Sequence, residues 1–325
     1  MSAALQQRGI KSGIRFYLRA LSFALGALLL IYPLRIANAE ENEPLILREK
    51  LIAKISDIAD QLDGVMGLAV KDLTTGEEFL LNQDLVFPQG SSIKLAILLE
   101  VFKQAKEGKF SLQDRLWLEK KDKVGGSGVL KELGDHTVSL TIKDIAILMI
   151  LVSDNTATNI LIDLVGMENV NRTLSELGLT ETRLQRKMMD YRAAAEEREN
   201  ISTPMEMLKL LELIYRQQVL DPSSCDAILD ILKRRKSGSI RQLLPSGIEV
   251  AHKPGGIEGV ACDIGVVYLP HRPYIICAMT NYLMNGEEGS KAIAEVSRLV
   301  YDYFWRLSLS TRFGRRLPPS LLPNK

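Results

Sequence analysis

The hydrophobic positions of this chain change period several times, and the changes mark its elements. Between residues 45 and 62, Leu47, Leu51, Ile52, Ile55, Ile58 and Leu62 recur at helical spacing. Residues 65–72 and 77–81 read as two strands joined by the turn Thr74-Thr75-Gly76, hence a hairpin. The run Leu-Ala-Ile-Leu-Leu-Glu-Val-Phe at 95–102 is apolar on all sides, as in a buried helix that starts near Ser91 and stops at Gly108. Residues 111–139 are mixed and polar, and Gly125-Gly126-Ser127-Gly128 in their middle reads as a flexible connection at the rim of a site. Asp144 supports the start of an apolar helix at 145–152, and a second helix begins at 156 after Ser153-Asp154-Asn155. Residues 170–177 continue the helical block. Residues 180–202 form a charged loop with two methionines, long enough to suggest a functional role. Thr203-Pro204-Met205-Glu206 is a capping box, and Asp221-Pro222 opens a further helix in the same way. Strands return at 248–253, 263–269 and 274–281, with a hairpin turn at His271-Arg272-Pro273, and an amphipathic helix closes the pattern at 292–307.

This order predicts an α+β fold: an antiparallel sheet flanked by the terminal helices, with an inserted all-helical lobe. A cleft between sheet and lobe is the natural place for a site.

Composition adds limits. The chain has 325 residues, 46% hydrophobic and 25% charged. Residues 1–19 carry four basic residues and no acid, an apolar run fills 20–32, and Ala37-Asn38-Ala39 fits a small-x-small cleavage site. This is the layout of a secretory signal peptide over 1–39, with an uncleaved anchor as the alternative; the apolar core is short for a span. The folded domain is then expected over 40–310, followed by a basic, Pro-rich and disordered tail over 311–325. A periplasmic or secreted location and no stable membrane span follow. After residue 39 there are 36 basic and 40 acidic residues, a net charge of −4, which disfavours nucleic acid as a partner. Cys225, Cys262 and Cys277 read as buried apolar residues, with Cys262 and Cys277 on segments that could be neighbouring strands. His136, His252 and His271 stand apart and form no metal-binding spacing, so neither metal nor cofactor is expected.

Three short patterns carry candidate chemistry. Ser91 precedes Lys94 by three residues, so on a helix the amine shares a face with the hydroxyl and can take its proton. A helix N-terminus offers N–H groups to an oxyanion. In Ser153-Asp154-Asn155, three polar residues separate two buried helices; a cap needs only Asp154 or Asn155, which leaves the others to be hydrogen-bonded or at work. In Lys253-Pro254-Gly255-Gly256 a cation ends a strand beside backbone that another molecule can approach closely.

In this order and at these separations, the three patterns resemble the class A β-lactamases and penicillin-binding serine hydrolases. The resemblance covers about residues 45–307 and includes Phe87-Pro88, Ser153-Asp-Asn-Thr-Ala-Thr-Asn159, Thr182-Arg-Leu and Asp263-Ile-Gly-Val. It implies a β-lactamase/transpeptidase-like fold, a monomer, and a β-lactam or D-alanyl peptide as substrate. Ser91 would be the acylated nucleophile and Lys94 its base. Ser153 would pass a proton to the leaving nitrogen, Asn155 would hold the substrate's amide side chain, and Lys253 would stabilise negative charge. The N–H groups of Ser91 and Gly256 would form the oxyanion hole, with Gly255 lining the substrate strand.

Two positions depart from the family pattern. The deacylating glutamate's place falls at Met188, whose thioether cannot activate water. Asp190 is the nearest carboxylate; it is either a substitute base or the partner of Arg186 or Arg192. Pro254 stands where the family has a hydroxyl residue for the substrate carboxylate. Acylation survives both changes, whereas fast deacylation and tight penicillin binding do not follow. The implied function is hydrolysis of β-lactam amides through a Ser91 acyl-enzyme. The alternatives are a D-alanyl-D-alanine carboxypeptidase or esterase, and a slowly deacylating penicillin-binding protein.

Overall fold

The computed structural model describes residues 42–311 and 313–318. The expected signal peptide, its cleavage site and residues 319–325 lie outside these. The chain divides between Lys50 and Leu51; the first helix, α1 (Asn42–Gln61), crosses this point, and everything that follows belongs to the second unit.

Five strands form one antiparallel sheet: β1 (Val65–Asp72), β2 (Glu78–Leu81), β3 (Val250–Ile257), β4 (Val260–Val267) and β5 (Tyr274–Asn281). Their order is β2-β1-β5-β4-β3. Every residue of β4 is buried, as expected for a central strand covered on both faces. Opposite each other stand Ile264 and Cys277, and Cys262 and Met279. The two strand cysteines are thus out of register with each other, and all three cysteines are free and buried.

β3 is longer than the pattern predicts. Pro254, Gly255 and Gly256 read as a strand end, yet the strand continues through them to Ile257. β3 is the edge strand, where a proline's missing N–H costs no ladder bond to a further strand. Glu258-Gly259 then forms a two-residue hairpin turn with Gly259 at φ +73°.

The helical block supplies α2 (Lys94–Lys106), α3 (Ile142–Leu151), α4 (Asn155–Val165), α5 (Met167–Glu176), α6 (Pro204–Tyr215) and α7 (Pro222–Lys233), and the closing helix is α8 (Gly286–Ser308). From Lys94 to Phe102 every residue of α2 is buried, which accounts for a run without a polar face. The α+β layout with a helical insertion between the two hairpin-containing segments of the sheet is therefore present. Among the described residues no helix is long and apolar enough to cross a membrane.

Two loops differ from expectation. Residues 111–141 are pinned rather than flexible: Arg115–Trp117 pairs with Ser139–Thr141, and the Asp154 carboxylate accepts from the N–H groups of Val129 (2.7 Å) and Leu130 (2.9 Å). At the C-terminal end, Thr311 N–H donates to Arg315 O and Leu317 N–H to Leu309 O, so residues 313–317 are tied back to residues 309–311 instead of trailing off.

Candidate active site

The nucleophile turn comes first. Gly90–Ile93 is one turn of 3-10 helix, and the α-helix begins only at Lys94. In a 3-10 turn residues three apart eclipse, so Ser91 and Lys94 share a side. Ser92 locks the turn: its buried hydroxyl donates to Gln89 O at 2.9 Å and lies 2.9 Å from Gln89 Oε1. Gln89 Nε2 in turn donates to Ile201 O at 3.0 Å. Ser91 alone is left partly open to solvent.

Strand β3 meets this turn backbone to backbone. A Cβ on Gly90 would lie 2.7 Å from Gly256 N, and Gly90 sits at φ +51°, where a side chain is strained in any case. A Cβ on Gly255 would lie 2.3 Å from Gln89 O and 2.7 Å from Ser92 N. Two glycines therefore allow the backbone of β3 around Gly256 to approach the backbone of the Ser91 turn closely.

Lys94 is fully buried and reaches the second pattern. Its Nζ donates to Ser153 O (2.9 Å), Ser153 Oγ (3.0 Å) and Asn155 Oδ1 (3.0 Å). Ser153 holds a left-handed backbone, φ +53°, a conformation that costs a non-glycine residue about 1 kcal/mol. Asp154 is the cap of α4, accepting from Ala157 N at 2.9 Å, so the alternative with Asn155 as cap does not occur. Ser153 and Asn155 are thereby released to face Lys94. Asn155 Nδ2 also donates to Gly125 O at 3.2 Å. Gly126 packs so closely that a Cβ there would lie 2.5 Å from Asn155 Nδ2 and 2.8 Å from Met189 Sδ. The glycine loop is thus a fitted wall of the site.

Lys253, 1% exposed, approaches Ser153 from the other side. Its Nζ is 3.2 Å from Ser153 Oγ and 2.6 Å from Pro254 O. One serine hydroxyl therefore joins two buried amines. Burial pushes the Lys94 amine well below its ordinary value, and the neighbouring Lys253 charge adds to this while Asp154 opposes it. Burial also lowers Lys253, to about 7, with Asp263 pulling it up and Lys236 pushing it down. Behind Lys253, His252 does not stand apart: its Nδ1 donates to Asp263, 3.0 and 3.2 Å from the two oxygens, and both side chains are completely buried. Asp263 also accepts from Ile240 N–H at 3.0 Å.

The charged loop closes on itself between Arg183 and Ile201, in the manner of an Ω-loop. Arg186 donates to both Glu199 oxygens from one guanidinium edge, Nε at 3.0 Å and Nη2 at 2.9 Å, and Asn200 Oδ1 accepts from the N–H groups of Gln185 and Arg186. Glu206 does not reach back to complete a capping box. Its carboxylate accepts instead from Glu181 N, Thr182 N and Thr182 Oγ1, and so anchors the start of the loop. Met188 is buried, with its N–H donating to Asn159 Oδ1 (2.8 Å) and its carbonyl accepting from Asn159 Nδ2 (3.1 Å). Asn159 lies one helical turn beyond Asn155 on α4, so both asparagines face the site side of that helix. Two asparagines four apart on one face of the helix were a readable signal for this second anchor. Asp190 is exposed and caps the short helix Tyr191–Ala195 through Ala193 N at 3.0 Å. Neither arginine pairs with it: Arg186 goes to Glu199 and Arg192 to Glu196.

A partly exposed serine, a buried amine on its side of the turn, a serine hydroxyl shared by two lysines and a strand backbone packed against the serine's turn define a serine acyl-transfer site of hydrolase type. The family comparison agrees: a model described as the β-lactamase enzyme family matches residues 50–304, and the chain belongs to that family, in its class A branch. The chain is 25% identical over 273 residues to β-lactamase VEB-1 of Pseudomonas aeruginosa, covering 79% of this chain and 91% of that protein. Among solved structures it is similar to a β-lactamase from Sphaerobacter thermophilus, with TM-score 0.73 and 32% identity over 77% of this chain and 95% of that one. It is equally similar to PBP-A, with TM-score 0.73 and 31% identity over 79% of this chain and 96% of that one. A mutant of PBP-A carrying glutamate in place of a leucine, in an acyl-enzyme complex with penicillin G, matches to the same degree. The protein is a class A β-lactamase-like serine hydrolase.

Proposed function

We propose that the protein opens the amide bond of β-lactams by acylation at Ser91 and releases the acyl group slowly. The observation that carries this is the hydrogen-bond cluster of Lys94 with Ser153 and Asn155, joined to Lys253 through one hydroxyl. Lys94 as an ammonium has three N–H bonds and makes three contacts. As a neutral amine it keeps two and gains a lone pair, and its burial, which lowers its pKa, favours that form over the ammonium. The Ser91 hydroxyl then loses its proton to Lys94 as its oxygen attacks the carbonyl carbon. Ser91 and Gly256 N–H groups stabilise the oxyanion. On collapse, Ser153 Oγ–H protonates the departing ring nitrogen, Lys253 stabilises negative charge beside it, and the Ser91 ester remains. In this reading Asn155 holds the substrate's amide side chain, and Gly255 lets the substrate lie along β3.

Hydrolysis of that ester needs an activated water. Met188 occupies the slot that Asn159 builds, and a thioether accepts no proton. Asp190 is exposed and already accepts from Ala193 N–H, so this reading gives it at most slow activation of water. The likeness to PBP-A, a glutamate variant of which forms an acyl-enzyme with penicillin G, supports acylation by a penicillin here. A D-alanyl peptide or ester is the alternative substrate on the same site. A secreted or periplasmic monomer, with residues 1–39 as a cleaved signal peptide, completes the reading. Intact-protein mass spectrometry with a penicillin tests it. The expected result is an adduct on wild type, absent in Ser91→Ala, that persists for many minutes. No adduct at saturating penicillin would overturn the β-lactam reading, and hydrolysis of a D-alanyl-D-alanine peptide would then favour the alternative.

A further inference from the structure

A second pocket lies outside the catalytic row, between the segment that follows α7 and the start of α8. It encloses about 990 Å³, and its lining includes Arg235, Lys236, Gly238, Ser239, Arg241 and Ser290. We propose that this pocket binds a phosphate-bearing oligoanion, either free in solution or as the end of a polymer.

The charge inventory is one-sided. Three cationic side chains line the pocket and no carboxylate does. Among the described residues none of the three is ion-paired: Lys236 donates to the carbonyls of Leu232 (2.6 Å) and Arg234 (3.0 Å), and Arg241 to the carbonyl of Ile248 (3.3 Å). The adjacent Lys233 and Glu249 pair with each other, so Glu249 does not neutralise the pocket's cations; Lys236 feels the attraction of buried Asp263, while burial and Arg241 lower its pKa to about 8. The nearest buried carboxylate is Asp263 behind Gly238, where a Cβ would lie 2.7 Å from its Oδ2, and His252 and Ile240 N–H already occupy it. Like charges gathered around a concavity raise the local concentration of counter-ions of opposite sign. Guanidinium forks and serine hydroxyls together match the oxygens of a phosphate. Several closely spaced negative charges suit three cations better than one charge does.

The pocket is electrically connected to the site in front of it. Lys236 and Asp263 are the two charges that act on Lys253 in opposite directions. An anion that compensates Lys236 removes the repulsive one, so occupancy raises the pH at which Lys253 loses its proton.

Isothermal titration of the purified chain with inorganic pyrophosphate at low ionic strength tests the site without any turnover, independently of the catalytic reading. One saturating site per chain is expected, weakened at least tenfold in Arg235→Ala/Lys236→Met and weakened again by added salt. Long-chain polyphosphate distinguishes the sources: tighter binding per chain end than pyrophosphate assigns a polymer, equal binding a free anion. Arg235 is exposed, so the single Arg235→Ala variant keeps the fold if the double one does not, and it is expected to weaken binding severalfold. Absence of saturable binding up to about 10 mM pyrophosphate, or binding unchanged in folded variants, overturns the proposal.

Discussion

Replacing Lys253 by methionine should abolish acylation and yet stabilise the fold below neutral pH. The lysine is 1% exposed, and burial lowers its pKa from 10.5 to about 7. At about 1.4 kcal/mol per pH unit, that interval corresponds to about 5 kcal/mol of unfavourable free energy. The sign follows from proton counting: between pH 7 and 10.5 the unfolded chain holds the Lys253 proton and the folded chain does not, so stability rises with pH across that window. Below pH 7 both states are protonated and the full cost is present. Methionine fills similar volume without charge, but leaves Ser153 Oγ and Pro254 O without this donor, a loss of about 2 kcal/mol. The net expectation is a variant about 3 kcal/mol more stable than wild type at pH 6, with the difference gone or reversed by about pH 10. Guanidinium denaturation of both proteins at the two pH values measures it, since titration of groups remote from Lys253 cancels in the difference, and Lys94, freed of a like charge, adds to the gain in the acid range. A variant less stable than wild type at pH 6, or an equal gain at both pH values, would refute the reasoning.

The same titration should appear in catalysis: the acylation rate of wild type falls as pH rises through about 7, whereas Lys253→Arg, if active, keeps its rate to higher pH, as stopped-flow with a chromogenic cephalosporin reports. Met188→Glu places a carboxylate in the Asn159 slot and should shorten the adduct's life at least a hundredfold by mass spectrometry, at a stability cost of about 1–3 kcal/mol for the buried acid. Asp190→Asn should alter the adduct's decay less than about threefold and lower stability by less than about 1 kcal/mol, because an asparagine still caps. Gly90→Ala should slow acylation at least a hundredfold, since its Cβ meets Gly256 N at 2.7 Å from a backbone at φ +51°.

The regular elements were legible because burial writes periodicity into a strand such as β5 or a helix such as α2, and residues 65–72 and 274–281 were read to the residue. Failure came where a residue type and its context disagree. Pro254 and two glycines signal a break, but at a sheet edge packed on the nucleophile turn they are what the close approach requires. Ser91, Lys94, Ser153, Asn155 and Lys253 were readable from spacing, and the structure brings the four polar side chains from Lys94 onward into one hydrogen-bonded cluster. The contacts that hold this cluster were not readable. Asp154 ties down residues 129–130, Glu206 anchors residues 181–182, and His252 finds Asp263 across the β3–β4 pair, each spanning a separation that no local pattern encodes.

Asn159 grips residue 188 through its backbone alone, by one N–H and one carbonyl. The slot is therefore indifferent to the side chain it presents, and the lifetime of the adduct becomes a heritable setting at one codon. No single-base change converts a methionine codon to a glutamate codon. The intermediates are valine, which keeps the slot apolar, and lysine, which would put a further cation on the side of α4 where Lys94 already sits. Only the valine path leaves the site intact on the way, so descent from slow to fast turnover runs through a variant with no advantage of its own.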